Sequence, residues 1–267
     1  MSYRTPNGPQ RIVCLTEEPT EILYALGEQD RIVGISAYTE RPKEAKRDKP
    51  VVSAFIDGSL KKIQALEPDL VIGFSDIQAE LAKKLIANNL NVLIFNQRSI
   101  QEIFEVVVNV GRLVGRRPEA QALVDGYISN IEAVASRAAQ RGHRPRVYFE
   151  EWDDPMISAI EWVSELISIA GGDDIFADRA NGKLAKERFV QPEEVIAKAP
   201  EIMLASWCGK PFQPDAVRQR EGWMAIPALA SGRMHEIPSV DILQPGPACL
   251  TAGLAAIERH LSAPSSR

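Results

Sequence analysis

Two groups of carboxylates come directly after strand-like runs of the sequence. The stretch 150–154, Glu-Glu-Trp-Asp-Asp, follows the run Arg146–Glu150. Glu17 and Glu18 follow the run Ile12–Leu15 in the same way. Since ligands of parallel sheets bind beyond the carboxyl ends of the strands, both groups predict an acidic rim that accepts hydrogen bonds or attracts a cationic group. A paired acid–base site and solvated strand-to-helix loops are the alternatives that the sequence leaves open.

Aromatic residues gather at the same predicted strand ends. Phe74, Trp152 and Trp207 end or follow strand-like runs, and Tyr38 and Phe55 lie in loops after such runs. Any one of these rings would also suit a hydrophobic core. Together they predict a site for a flat or bulky ligand, to which aromatic rings offer a large apolar contact area.

The usual catalytic signatures are missing from the sequence. It contains no Walker phosphate loop, GxGxxG, GxSxG or HExxH motif. His143, His235 and His260 lie far apart, and none has a His or Cys at metal-ligand spacing. We therefore expect a binding protein rather than an enzyme, without a resident metal or cofactor. Cys208, before Gly209, fits either a thiolate ligand or an inert thiol.

Short apolar runs alternate with amphipathic stretches through both halves of the chain, which predicts parallel strands covered by helices. The predicted strands are Ile12–Leu15, Ile32–Ile35, Leu70–Phe74, Val92–Phe95, Arg146–Glu150, Ile202–Ser206 and Met234–Ile237. Between the halves, Pro118–Gln140 carries apolar residues at spacings of three and four, which predicts one helix on the order of 35 Å long. We expect an N-terminal α/β lobe over residues 1–115, a connecting helix over 116–142 and a C-terminal α/β lobe over 143–267.

The amino-acid composition excludes several classes of partner and of protein. A net charge of −5 and a pI near 5.4 provide no basic surface for nucleic acid. No apolar run is long enough to span a membrane, and three widely spaced cysteines argue against a disulfide framework. The first residues, MSYRTPNGPQ, lack the apolar core of a signal peptide. We expect a monomer that is cytoplasmic as the chain is written, or periplasmic if a signal peptide was removed.

The pattern as a whole resembles a known family. Four blocks carry the resemblance: RIVCLTEEPTEILYALGEQDRIVGIS, SLKKIQALEPDLVIG, EEWDDP with WVSELISIAGG, and QPGPACLTAGLAAI. In order and spacing they are similar to blocks of the cobalamin and ferric-siderophore binding proteins of ABC importers. The resemblance covers nearly the full chain and is closest to the cobalamin-binding branch.

This resemblance implies two Rossmann-like α/β lobes joined by one rigid helix, with the ligand in a cleft between the lobes. The candidate ligand-binding residues, taken from it and from the strand ends, are Glu17, Tyr38, Phe55, Phe74, Glu151, Trp152, Trp207 and Asp241. It also implies docking to an importer permease through one glutamate on each lobe, which meets arginines of the permease. Glu193 matches the second position, whereas the first holds Lys61 in place of the family's glutamate.

We therefore expect a solute-binding protein that clamps a bulky, ring-containing ligand, cobalamin or another corrinoid first. A ferric siderophore or haem is the alternative within the same class. The acidic rim disfavours strongly anionic ferric complexes, whereas Phe189, the single aromatic residue at 187–189, argues against cobalamin. The alternative of another class is a cytosolic enzyme or cofactor-handling protein on the same scaffold, using Glu150, Glu151 or Cys208. A fold hosts many functions, so the site must decide among them.

Overall fold

A computed structural model describes residues 8–54 and 56–263. The chain divides into two compact units. The N-terminal unit comprises Met1–Gln97 and Gln101–Gly126, and the C-terminal unit comprises Arg98–Ile100 and Tyr127–Arg267. The lobe boundaries at residues 115 and 143 remain our proposal.

The N-terminal unit alternates strands and helices. Its strands are β1 Ile12–Cys14, β2 Ile32–Ser36, β3 Val51–Ala54, β4 Asp57–Gly58, β5 Leu70–Phe74 and β6 Val92–Phe95. Its helices are α1 Glu17–Ala25, α2 Ala45–Asp48, α3 Leu60–Ala65, α4 Ala79–Ala87 and α5 Ile100–Leu113, with 3-10 turns at Gln29–Arg31 and Asp76–Gln78. The side chain of Ser59 caps α3 by accepting a hydrogen bond from the backbone N–H of Lys62 (3.3 Å), as its residue type predicts.

The strands of this unit form a sheet in the order β4-β3-β2-β1-β5-β6. All neighbours are parallel except β3 and β4, which pair antiparallel. The carboxyl ends of β1, β2, β3 and β5 therefore open on one edge of the sheet. The central strand β1 is completely buried, and its Val13 joins Ile63, Val71 and Leu85 in the hydrophobic core.

One helix, α6 Arg117–Ala139, covers the stretch over which the sequence predicts a helix. Pro118 lies in its first turn, where its missing N–H costs no hydrogen bond. Its buried residues Ala120, Val124, Val134 and Ala138 repeat at intervals that keep them near one face. Gly126, where the N-terminal unit ends, lies within this helix.

The C-terminal unit repeats the alternation with more irregular connections. Its strands are β7 Arg146–Asp153, β8 Met156–Ser158, β9 Asp173–Asp174, β10 Ile202–Ala205 and β11 Met234–Glu236. Its helices are α7 Glu161–Ile169, α8 Pro192–Lys198, α9 Pro214–Arg218, α10 Pro227–Ala230, α11 Ser239–Ile242 and α12 Leu254–Ser262, with 3-10 turns at Ala185–Arg188 and Trp223–Ala225 and a π turn at Cys249–Gly253.

The strand order in this unit is β11-β10-β7-β8, with β9 paired to the start of β7. β7, β9, β10 and β11 run parallel, whereas β8 pairs antiparallel with the end of β7. The core on one side of the sheet includes Tyr148, Phe176, Met203 and Trp223, all at most 1% exposed. Burial of these large side chains is the main stabilising contribution that the unit's sequence supplies.

The two units match the predicted fold class, α/β with parallel strands. Within residues 8–54 and 56–263, no helix is long and apolar enough to cross a membrane.

Candidate functional site

The stretch 150–154 is not a strand-to-helix loop, and that alternative of the sequence analysis is wrong. β7 continues to Asp153, and the chain turns at Asp154 and Pro155 into β8 to form a hairpin. Asp and Pro are residues that favour turns, and they supply the local reason for the reversal. The stretch is therefore held in a paired strand at the carboxyl edge of the sheet.

Glu150 is fully buried and lies at the centre of a hydrogen-bond network. Its carboxylate accepts bonds from the Tyr148 hydroxyl (3.0 Å) and the Trp207 indole N–H (3.0 Å). The Arg220 guanidinium donates to both of its oxygens (2.6 and 3.0 Å). With two donors at each oxygen, this carboxylate has no free acceptor position for a ligand. Glu150 positions Trp207 rather than forming part of a rim.

Glu151 is paired with a buried arginine. The Arg188 guanidinium, 3% exposed, donates to both carboxylate oxygens of Glu151 (2.5 and 3.2 Å) and to the Ser158 carbonyl (2.7 Å). The two-pronged geometry matches the planar fork of arginine to the carboxylate. A cationic ligand would have to compete with this guanidinium for Glu151.

Trp152 is partly exposed and lies against the hydrophobic core of the C-terminal unit. Its indole N–H donates to the Asp154 carbonyl (2.9 Å), which fixes the ring on the hairpin. The ammonium of Lys210 lies 4.1 Å from the centroid of this ring and 2.5 Å from a carboxylate oxygen of Asp153. Trp152 thus presents an aromatic ring that the ammonium of Lys210 contacts.

The carboxylates at this edge are consequently balanced by cations. The pairs are Glu150 with Arg220, Glu151 with Arg188, and Asp153 with Lys210. The sequence analysis expected an acidic rim that attracts cations and disfavours anionic ligands. In the C-terminal unit that expectation is corrected, because the arginines and the lysine come from distant parts of the chain whose pairing the sequence pattern does not show.

Trp207 and Asp241 also lie after strands of this sheet. Trp207 follows β10 and is 3% exposed, so it supports the edge from inside the core. Asp241 lies in α11, after β11, and is half-buried. Phe189, not among the candidate ligand contacts from the sequence, is 38% exposed and bridges to Ile157 of β8, which in turn pairs with Trp152. Its connection to the hairpin depends on pairing that residue spacing alone does not predict.

In the N-terminal unit the candidate residues follow the parallel strands as expected. Tyr38 follows β2 and is 49% exposed, whereas Phe74 at the end of β5 is only 8% exposed. The backbone N–H of Phe74 donates to the side chain of Gln78 (3.0 Å). Phe55 lies outside the residues that the structure describes. Tyr38 is therefore an exposed aromatic residue, and Phe74 belongs largely to the core.

Glu17 and Glu18 begin α1 and are almost completely buried, at 5% and 2% exposed. Neither oxygen of the Glu17 carboxylate has a hydrogen-bond partner among the described residues. Burial, reinforced by the neighbouring charge of Glu18, raises the pKa of Glu17 to about 8. Burial also raises the pKa of Glu18, to about 7. At neutral pH Glu17 is mainly protonated, so the expected acidic group there is mainly neutral.

Lys61 and Glu193 are both exposed, each in the first turn of its own helix. Lys61 lies in α3, two residues after the capping residue Ser59, and Glu193 lies in α8, after Pro192. Both are accessible to a partner, as a docking residue must be. Their role in docking remains a proposal.

Two of the histidines, His235 and His260, pack together, although their spacing in the sequence does not predict it. The rings of His235 and His260 stack with centroids 4.3 Å apart and planes 14° apart. Burial, together with the positive charge of Arg259, lowers the pKa of both imidazoles, that of His260 to about 4. In the part of the chain that the structure describes, no group of three His, Cys, Asp or Glu side chains is placed to hold a metal ion.

The sequence was compared with protein families and with known proteins. Residues 12–240 match the family model described as periplasmic binding protein. An uncharacterized ABC transporter substrate-binding lipoprotein, YvrC, of Bacillus subtilis is 26% identical over 249 residues, 90% of this chain and 76% of that protein. A vitamin B12-binding protein of Vibrio vulnificus is 26% identical over 253 residues, 91% of this chain and 87% of that protein.

The solved structures include the periplasmic heme-binding protein RhuT from Roseiflexus sp. RS-1 in its apo form. It superposes with a TM-score of 0.80 at 24% identity, over 96% of this chain and 100% of that one. At this identity the likeness concerns the fold. The family match spans most of the chain, and with it the chain belongs to the periplasmic binding protein family as a solute-binding protein of the ABC-importer type.

Proposed function

We propose that this protein binds a corrinoid such as cobalamin, reversibly and without bond chemistry. The observation that carries the proposal is that each unit has an accessible aromatic residue at the carboxyl edge of its own sheet: Tyr38, 49% exposed, in one unit and Trp152, partly exposed, in the other. Rings of this kind provide apolar area for a bulky macrocycle. The vitamin B12-binding relative, aligned over 91% of this chain, supports the corrinoid as the ligand.

Haem or a ferric siderophore is the second candidate. It is favoured by a specific finding: the carboxylates of the C-terminal edge are neutralised by Arg188, Arg220 and Lys210, so this edge does not repel an anionic ligand. The fold that the chain shares with a heme-binding protein is compatible with it. We rank it second because the aligned relatives named for a ligand bind vitamin B12.

We propose that the ligand-loaded protein docks to an ABC importer permease through Glu193, and that the charge of Lys61 weakens this docking. The lipoprotein relative favours a location outside the cytoplasm, of the two compartments that the sequence leaves open. Such a location suits a protein that hands its ligand to an importer.

Calorimetric titration of the protein with cyanocobalamin, hemin and a ferric siderophore tests the proposal. We expect cyanocobalamin to bind most tightly. Trp152→Ala should weaken that binding by about 1–2 kcal/mol, because it removes a partly exposed aromatic contact at the edge of the sheet. Phe74→Ala is the matched comparison: its ring is buried, so it should lower the free energy of unfolding by about 3 kcal/mol.

Two results would contradict the proposal. Tighter binding of hemin or the siderophore would replace the corrinoid with the second candidate. Equal cyanocobalamin affinity of wild type and Trp152→Ala would remove the hairpin from the site.

A further inference from the structure

A four-residue segment, Cys208–Pro211, crosses the carboxyl edge of the C-terminal sheet between two fixed ends. We call it the strap. At its start, Trp207 is buried and donates its indole N–H to Glu150 (3.0 Å). At its end, Phe212 is 8% exposed and its backbone N–H donates to Glu236 (3.2 Å). Since both ends are held, movement of the strap is confined to its own four residues.

The two ends of the strap, Trp207 and Phe212, also contact each other. The rings of Trp207 and Phe212 meet edge to face with centroids 5.1 Å apart. Between them, Cys208 is exposed and Gly209 has a φ of +75°, a conformation that glycine adopts without steric cost. The strap is therefore an exposed loop on a rigid base, with a glycine that allows its direction to change.

The strap carries Lys210 onto Trp152. The Lys210 ammonium lies 4.1 Å from the Trp152 ring centroid, 4.9 Å from that of Trp207 and 2.5 Å from an Asp153 oxygen. An ammonium at this distance is attracted by the negative face of an indole. It also occupies the space in which another flat group would stack on that face.

We propose that Lys210 is a specificity-determining residue that covers the ligand-facing side of Trp152 and must be displaced when a ring-containing ligand binds. This inference rests on the proposed function, which makes Trp152 a ligand contact. The chain's own lysine then competes with the ligand for the same aromatic face. Weakly stacking ligands are excluded, and a large macrocycle gains enough contact area to displace the ammonium.

The competition sets the direction of the mutational effect. Removing the ammonium removes a contact that the ligand would otherwise have to break. A cation–π contact of an exposed lysine corresponds to about a two- to fivefold change in affinity. Lys210→Ala should therefore bind cyanocobalamin about two- to fivefold more tightly than wild type. Lys210→Met, which retains the apolar stem and loses the charge, should change affinity in the same direction.

Lys198 supplies a matched control. Its ammonium lies 5.2 Å from the centroid of the Phe176 ring, which is buried in the core of the same unit. Lys198→Ala therefore makes the same change of charge and removes the same kind of contact, away from the strap. Its affinity for cyanocobalamin should equal that of wild type.

A second measurement needs no ligand. Trp162, Trp207 and Trp223 are at most 3% exposed, so acrylamide quenching of tryptophan fluorescence reports mainly on Trp152. Lys210→Ala and Lys210→Met should increase the quenching constant of the full chain, and Lys198→Ala should not.

The outcomes separate the two ideas. If wild type binds cyanocobalamin and Lys210→Ala binds it equally or more weakly, the role of Lys210 is overturned and the corrinoid proposal stands. If wild type binds neither cyanocobalamin nor hemin, the proposed function fails. In that case the quenching experiment still tests the contact between Lys210 and Trp152. Unchanged quenching in the Lys210 variants would overturn that contact, and increased quenching would support it.

Discussion

Two buried glutamates have opposite surroundings: Glu150, within β7, and Glu17, at the start of α1. Glu150 receives donors from Tyr148, Trp207 and Arg220 and has no vacant position. Glu17 has no partner for either oxygen among the described residues, and its pKa rises to about 8 because of burial. A buried glutamate is thus held by three donor side chains in one unit and is mainly a neutral acid in the other.

The raised pKa of Glu17 predicts how stability depends on pH. Its pKa in the folded protein lies above the ordinary value of 4.5, so the folded form keeps a proton that the unfolded chain releases. This stabilising effect is complete below about pH 4.5 and is lost as the pH rises toward about 8. Over that range a single such group lowers the free energy of unfolding by about 1.4 kcal/mol per pH unit at most.

Glu17→Gln mimics the neutral acid and should flatten this slope. At pH 8 the variant should therefore be more stable than wild type, by a few kcal/mol at most. Urea unfolding at pH 5, 6.5 and 8 measures the difference. Glu193→Gln, at an exposed position, is the control and should follow the wild-type slope. Parallel slopes for Glu17→Gln and wild type would show that burial does not perturb this carboxyl.

At the scale of elements, two glycines within helices predict opposite results for the same substitution. A methyl group added at Gly126 of α6 would meet nothing within 4 Å, whereas one at Gly111 of α5 would lie 2.4 Å from the Cβ of Ala120. Gly126→Ala should raise the free energy of unfolding by about 0.5–1 kcal/mol, because alanine restricts the unfolded chain and favours the helix. Thermal or urea unfolding of both variants checks the pair.

Gly111→Ala should destabilise the protein despite the same gain in helix propensity. Its methyl group would overlap Ala120 at the start of α6, so the two helices would have to separate. Stabilisation by both substitutions would mean that α5 and α6 do not pack as the structure describes.

The sequence predicted the regular elements better than the site. Alternating apolar runs and helical stripes identify most of the parallel strands and α6, because each depends on local periodicity. The short parallel strands β3 and β9 were not predicted. The β7–β8 hairpin was missed because β8 has three residues, and a register shift between Glu150 and Trp152 breaks strict alternation. Arg188 and Arg220 could not be assigned to their carboxylates, since such pairs join segments 37 and 70 residues apart.

At the scale of the whole molecule, binding a ligand and docking to a permease depend on different surfaces. The aromatic residues lie at or just after the ends of strands, whereas Lys61 and Glu193 are exposed in the first turns of α3 and α8. A substitution at either docking position should therefore leave ligand affinity unchanged. This separation allows the importer role to be tested independently of the ligand.

The positive charge of Lys61 predicts in which direction a substitution should change the docking affinity. The resemblance places permease arginines opposite this position, and like charges juxtaposed at an interface cost several kcal/mol. Wild type should therefore dock weakly to an arginine-bearing vitamin B12 permease, with Glu193 as its one favourable partner of the two. Lys61→Glu should strengthen docking, and the gain should shrink with added salt, since charges are screened over about 8 Å at physiological ionic strength.

The measurement is a binding titration against the permease reconstituted in lipid, at low and high salt. Lys62→Glu is the matched control, because it makes the same change of charge at the adjacent exposed position of α3. A specific contact requires Lys61→Glu to gain more than Lys62→Glu; equal gains would indicate only a long-range effect of net charge. Tight, salt-insensitive docking of wild type would contradict repulsion at Lys61, and would mean that the permease accommodates a lysine where the family carries glutamate.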